Sequence, residues 1–137
     1  MNFKDVDAAF ELHRRGFELA AITGEQNAMV EYFRSRFYKE RSVMNAEALT
    51  VNTSTLTAIS NDYSYERIFT RQIEAKGRPG DILIGISTSG KSKSVIEALR
   101  YARNNGMLSI ILMGDFYNFE LEQAADYIIR VPSKITP

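Results

Sequence analysis

Four hydroxyl side chains, Ser87, Thr88, Ser89 and Ser92, fall within six residues, with Gly85 just before them and Gly90 among them. Hydroxyls donate hydrogen bonds without carrying charge. If the stretch runs into a helix, the first backbone N–H groups and the positive end of the helix dipole join them, and a phosphate dianion is the ligand best matched to that set. Glycine at 85 and 90 lets the backbone turn and approach a ligand closely. One serine in this place would be an ordinary helix cap, but four hydroxyls are more than capping needs. Gly90-Lys91-Ser92 lacks the upstream glycine spacing of a nucleotide-binding Walker loop. Asn61-Asp62 is a second polar pair, which by itself reads as a helix-capping turn. With no cysteine and one histidine, His13, thiolate zinc sites, disulfides, a Cys nucleophile and a histidine-rich metal site within one chain are excluded.

The flanking segments place the hydroxyl run between a strand and a helix. DILIGIS (81–87) is an almost unbroken apolar run of strand length, the pattern of a central parallel strand buried on both faces. SVIEALRYARNNG (94–106) reads as a helix with Val95, Ile96, Leu99 and Ala102 inward and an Asn-Asn-Gly stop. MLSIILMG (107–114) is a further buried strand, FELEQAA (119–125) a short helix, and DYIIRVP (126–132) a last strand ended by Pro132. Upstream, AEALTV (46–51) reads as a short strand. STLTAISNDYSYERIFTRQIEAKG offers helical pieces around an Asn-Asp turn, with Ile68, Ile73 and Ala75 as apolar contacts, and Arg78-Pro79-Gly80-Asp81 is a turn. In the first third, Phe3, Val6, Phe10, His13, Phe17 and Ala20 recur at helical spacing, as do Met29, Val30, Phe33 and Phe37 beyond Thr23-Gly24. Phe17 to Ile22 reads equally as a short buried strand. Strands alternating with helices predict an α/β fold with a parallel sheet and right-handed crossovers.

At 137 residues the chain is expected to be one domain, residues 1–137, with ordinary globular composition. Seventeen basic and seventeen acidic residues cancel, so no net positive field favours direct nucleic-acid binding. The N-terminus lacks the basic start and apolar run of a secretory signal, and no stretch has the length of a membrane span. A cytoplasmic protein that does not bind membranes is expected.

GDILIGISTSGKSKSVIEAL resembles the phosphate loop of the SIS-domain phosphoheptose isomerases, which interconvert sedoheptulose 7-phosphate and glycero-manno-heptose 7-phosphate. The resemblance runs from about Arg36 to the end of the chain, through RFYKER, the segment ALTVNTSTLTAISNDYSYERIFTRQIEAKGRPGD, and IIRVPSKIT. It implies a three-layer SIS-type fold with a parallel sheet of about four or five strands flanked by helices. It also implies that Ser87, Thr88, Ser89 and Ser92 bind phosphate, that Asn61 and Asp62 contact the sugar, and that the chain forms a homodimer or homotetramer with sites between subunits. The same stretches, NDYSY and the VPS ending among them, are similar to a non-catalytic branch, the bacterial replication-initiator-associating proteins. A phosphosugar-sensing or initiator-binding regulatory role is therefore the alternative to an isomerase.

The family places a Gly-Asn-Gly-Gly-Ser loop after its first strand and a His-x-x-x-Glu pair on the next helix. Here Thr23-Gly24-Glu25-Gln26-Asn27 stands where that loop belongs, and the pair falls on Ala28 and Tyr32. Glu31 is one position away, a rotation of roughly 100° on a helix. Zinc, which some members use, has no matching ligands, so no cofactor is expected. Beyond Pro137 the family continues into a long helix carrying Arg-Ile-Gln-Glu and a second catalytic His, so a domain divergent in its first third and shortened at its C-terminus is expected. Sugar-phosphate binding is the expectation, with weak or no turnover by this chain alone.

Overall fold

A computed structural model of the protein describes residues 19–21 and 45–132. Among these, five strands form one wholly parallel sheet: β1 (Leu19–Ala21), β2 (Ala46–Ala48), β3 (Ile82–Ser87), β4 (Leu108–Met113) and β5 (Tyr127–Arg130). Their order across the sheet is β2-β1-β3-β4-β5. The connecting helices are α1 (Thr53–Asp62), α2 (Thr70–Lys76), α3 (Lys93–Asn104) and α4 (Phe119–Ala124), with a 3-10 turn at Tyr65–Arg67. The α/β class and the parallel sheet flanked by helices follow the sequence pattern.

Alternation along the strands explains why DILIGIS is apolar throughout. Leu83 and Gly85 face α3, where Leu83 and Ile111 join a core with Val95, Leu99, Ala102 and Leu121. Ile82, Ile84 and Ile110, on the opposite face, are also buried. The predicted inward set of α3, Val95, Ile96, Leu99 and Ala102, is buried as expected. Arg78-Pro79-Gly80-Asp81 makes the turn into β3: Asp81 N–H donates to the Arg78 carbonyl and Gly80 sits at φ +95°.

Three details depart from the sequence reading, and a fourth selects between two alternatives it left open. Strand β2 ends at Ala48 rather than reaching Val51, because the chain turns at Leu49–Thr50 and the Val51 N–H donates back to the Ala48 carbonyl. Asn61 and Asp62 are the last two residues of α1, not a turn. The turn comes at Tyr63, whose N–H donates to the Ile59 carbonyl. Ile68 and Ile73 are buried, but Ala75 is exposed, since it lies on the solvent side of a helix whose other side buries Thr70, Gln72 and Ile73. Leu19–Ala21 is a strand, inserted between β2 and β3. That selects the strand reading of this run and breaks the helical pattern extended to Ala20. His13, Glu31, Thr23-Gly24, Ala28, Tyr32 and the two N-terminal apolar patterns otherwise lie outside the described residues.

Candidate functional site

In an open parallel sheet, ligands bind beyond the carboxyl ends of the strands where the order reverses. Here β1 is followed by β2 on one side and by β3 on the other, so the reversal lies between β1 and β3. The hydroxyl run leaves the carboxyl end of β3 at that point. Ser87 is its last strand residue, Thr88-Ser89-Gly90-Lys91 form the loop, and Ser92 is the N-cap residue of α3. All four predicted hydroxyls are therefore brought together on one short connection. Ser87, Thr88 and Ser92 are half-buried and Ser89 is exposed.

Ser92 makes no side-chain cap bond to α3; its Oγ lies 3.2 Å from Oγ of the buried Ser94. The first N–H groups of a helix have no partner one turn back, so α3 presents donors and its positive dipole end beside the loop. Ser94 belongs to this hydroxyl cluster and was not singled out in the sequence, because it looks like any small residue in a first helical turn.

Backbone bonds fix the shape of the loop. Gly90 N–H donates to the Ser87 carbonyl at 3.1 Å, and Gly114 N–H to the Thr88 carbonyl at 2.9 Å. Gly90 sits at φ +65°, and a Cβ there would stand 2.6 Å from Cε of Met113, so both conformation and space call for glycine. Lys91 N–H reaches Ser89 Oγ at 3.4 Å. The Asn118 amide donates to the Gly90 carbonyl at 2.7 Å, while its Oδ1 accepts from Glu120 N–H and Leu121 N–H and caps α4. Asn118 was missed in the sequence, although an Asn immediately before FELEQ is a helix-start signal.

Asn61 and Asp62 sit on a different element, exposed at the end of α1. Asn61 Nδ2 donates to Asp62 Oδ1 at 3.2 Å, and among the described residues no hydrogen bond joins either to the loop. The connection is indirect: Glu66, in the 3-10 turn that follows, pairs with Lys93 at the start of α3, 3.2 Å apart. Asp62 places a carboxylate at the negative end of a helix whose last turn holds no basic residue, which is locally unfavourable. Just beyond it, Arg71 lies over the Tyr63 ring, 4.8 Å from its centroid, and Glu74 accepts from Arg67 at 2.7 Å and from Arg71 at 2.5 Å. The hydrogen bond to Glu74, and then the charge interactions with Tyr63 and Glu74, raise the Arg71 guanidinium above its ordinary pKa. These contacts pin the chain where α1 ends.

Among the described residues, no group of three or more His, Cys, Asp and Glu side chains could hold a metal, and no helix is long and apolar enough to cross a membrane.

Comparison with known proteins adds the following. The family model for the SIS domain matches residues 26–114. The chain is 63% identical over 109 residues to a phosphoheptose isomerase from Roseiflexus sp. (strain RS-1), covering 76% of this chain and 55% of that protein. It is 48% identical over 134 residues to a phosphoheptose isomerase from Aneurinibacillus thermoaerophilus, covering 94% of this chain and 67% of that one. The solved structure of a phosphoheptose isomerase from Neisseria gonorrhoeae matches with a TM-score of 0.76 at 35% identity, over 93% of this chain and 72% of that chain. The chain spans about half the length of the Roseiflexus protein, 55%, and of a phosphoheptose isomerase from Akkermansia muciniphila, 53%, to which it is 48% identical over 101 residues.

Proposed function

The chain belongs to the SIS-domain family of phosphoheptose isomerases, and from that premise we propose that it binds a sugar phosphate of the sedoheptulose 7-phosphate kind, with the phosphate in the 87–92 loop. The observation that carries this reading is the position of the four hydroxyls, which leave the carboxyl end of β3 at the sheet's reversal point and enter the N-terminus of α3. Ser87, Thr88, Ser89 and Ser92 donate to phosphate oxygens alongside the first N–H groups of α3. The donors are neutral, so the helix dipole and the nearby Lys91 and Lys93 supply the positive potential.

Asn61 and Asp62 take the sugar. The amide donates to and accepts from hydroxyls, and the carboxylate accepts from them. Placing Asp62 at an unfavourable helix end is consistent with a role set by ligand rather than by stability. Isomerisation in this family shifts a proton between adjacent carbons, a step that needs a positioned base and acid. In this chain the sequence positions matching the family's His and Glu are Ala28 and Tyr32, so binding is the function the residues support, with turnover weak.

The test is thermal unfolding with and without sedoheptulose 7-phosphate. A ligand that binds only the folded state raises Tm by mass action. Wild type should be stabilised, and Ser87→Ala with Ser89→Ala should remove that stabilisation while leaving the ligand-free Tm close to wild type. Equal stabilisation of the double variant overturns the assignment.

A further inference from the structure

We propose that Asn118, on the loop between β4 and α4, is a positioning residue of the anion loop, acting through the peptide plane between Gly90 and Lys91. The proposal rests on the phosphate-site reading above and deepens it. In a trans peptide the carbonyl and the N–H point in opposite directions. The Asn118 amide holds the Gly90 carbonyl at 2.7 Å, on the side of the loop facing α4. The Lys91 N–H is thereby turned the other way, where it meets Ser89 Oγ at 3.4 Å. With its oxygen engaged as acceptor, the Ser89 hydroxyl keeps its proton for a ligand. Two peptides away the same device recurs: Gly114 N–H holds the Thr88 carbonyl at 2.9 Å and turns the Ser89 N–H away from β4. The segment 114–118 thus sets the direction of two peptide planes in a loop whose function requires its N–H groups to converge.

Asn118 is suited to this because its two side-chain atoms do different work. Oδ1 caps α4 through Glu120 N–H and Leu121 N–H, which fixes the side chain, and Nδ2 is left to reach the loop. Oxygen-only caps separate the two roles. Asn118→Asp and Asn118→Ser both retain an N-cap acceptor. The aspartate has no amide donor, and the serine is too short to span to Gly90. Serine also adds no charge, so it controls for repulsion between a new carboxylate and an anion.

The experiment measures three things on wild type, Asn118→Asp and Asn118→Ser: ligand-free Tm, Kd for sedoheptulose 7-phosphate and for inorganic phosphate by calorimetry, and the backbone amide NMR shifts of Ser89 and Lys91. The expected result is a ligand-free Tm close to wild type in both variants, with both ligands bound about tenfold more weakly, the scale of one lost hydrogen bond. The Lys91 amide resonance should move in both. Weakened binding without movement of that resonance, or unchanged Kd in both variants, overturns the positioning role and leaves the phosphate site standing. If wild type itself binds neither probe, the site reading fails and this inference with it. A fall in Tm with Kd unchanged in the folded fraction makes Asn118 a cap only, and also overturns it.

Discussion

Gly85 lies so close beneath Val95 that a Cβ at position 85 would stand 2.7 Å from Val95 Cγ1 and 3.1 Å from Ile111 Cδ1. This contact brings α3 down onto β3 two residues before Ser87, so the strand can hand over to the helix through a short loop. Gly85→Ala should therefore destabilise the fold by about 1–3 kcal/mol, the usual cost of forcing extra volume into a packed core. A urea titration measures it. An unchanged midpoint would mean that the helix can lift off the strand without penalty, contrary to the packing described.

A second prediction concerns the opposite end of the sheet. Ser109 is fully buried in β4, and its Oγ donates to Asp126 Oδ2 at 2.8 Å while accepting from Asp126 N–H at 3.0 Å. Arg103 at the end of α3 reaches the other carboxylate oxygen at 3.1 Å. The serine thus joins β4 to the start of β5 and satisfies groups that lose water on folding. Asp126 N–H also donates to the Ser109 carbonyl at 2.9 Å, and Asp126 Oδ2 still accepts from Ser109 N–H at 2.9 Å. Ser109→Ala therefore removes the hydroxyl's own bonds without orphaning either group and should cost about 0.5–1.5 kcal/mol. Because this cluster is at the amino ends of the strands, sedoheptulose 7-phosphate should still stabilise the variant as much as wild type; loss of that stabilisation would show that the clamp acts on the loop as well.

The Glu66–Lys93 pair should behave in the contrary way. Its side chains are 50% and 74% exposed, so solvent screening and side-chain entropy offset most of the attraction. Glu66→Gln should change stability by less than about 1 kcal/mol at moderate salt. Chemical denaturation at low and high ionic strength checks this, and a larger, salt-insensitive loss would mean that the pair is a structural link between the 3-10 turn and α3.

Most of the frame around the site could be read from residue pattern because each signal was local. The unbroken apolar run of β3, the inward spacing of α3 and the hydroxyls between them each depend on neighbours in sequence. What escaped depended on distance in space. Asn118 touches Gly90 from 28 residues away, and no periodicity links the two. Leu19–Ala21 is three residues long, too short for spacing to separate strand from helix; its pairing with both β2 and β3 decides the matter. Ala75 has the right residue type for a core contact, but the rotation of α2 is set by Ile73 and Gln72 packing inward, and that turns position 75 to solvent.

The last prediction separates holding a sugar phosphate from converting it. Moving a proton between the first two carbons of a ketose phosphate needs a group that accepts it and a group that returns it. On the reading proposed above, the family's His and Glu positions fall on Ala28 and Tyr32, which carry neither an imidazole nor a carboxylate for that transfer. An NMR time course with sedoheptulose 7-phosphate should therefore show a saturable complex and product formation close to the uncatalysed background. The double variant Ser87→Ala with Ser89→Ala should lose the complex without any further change in rate. Robust aldose formation by wild type that disappears in the double variant would show that the loop feeds a competent base elsewhere in the chain, and would overturn the reading of Ala28 and Tyr32 as loss of the proton-transfer pair.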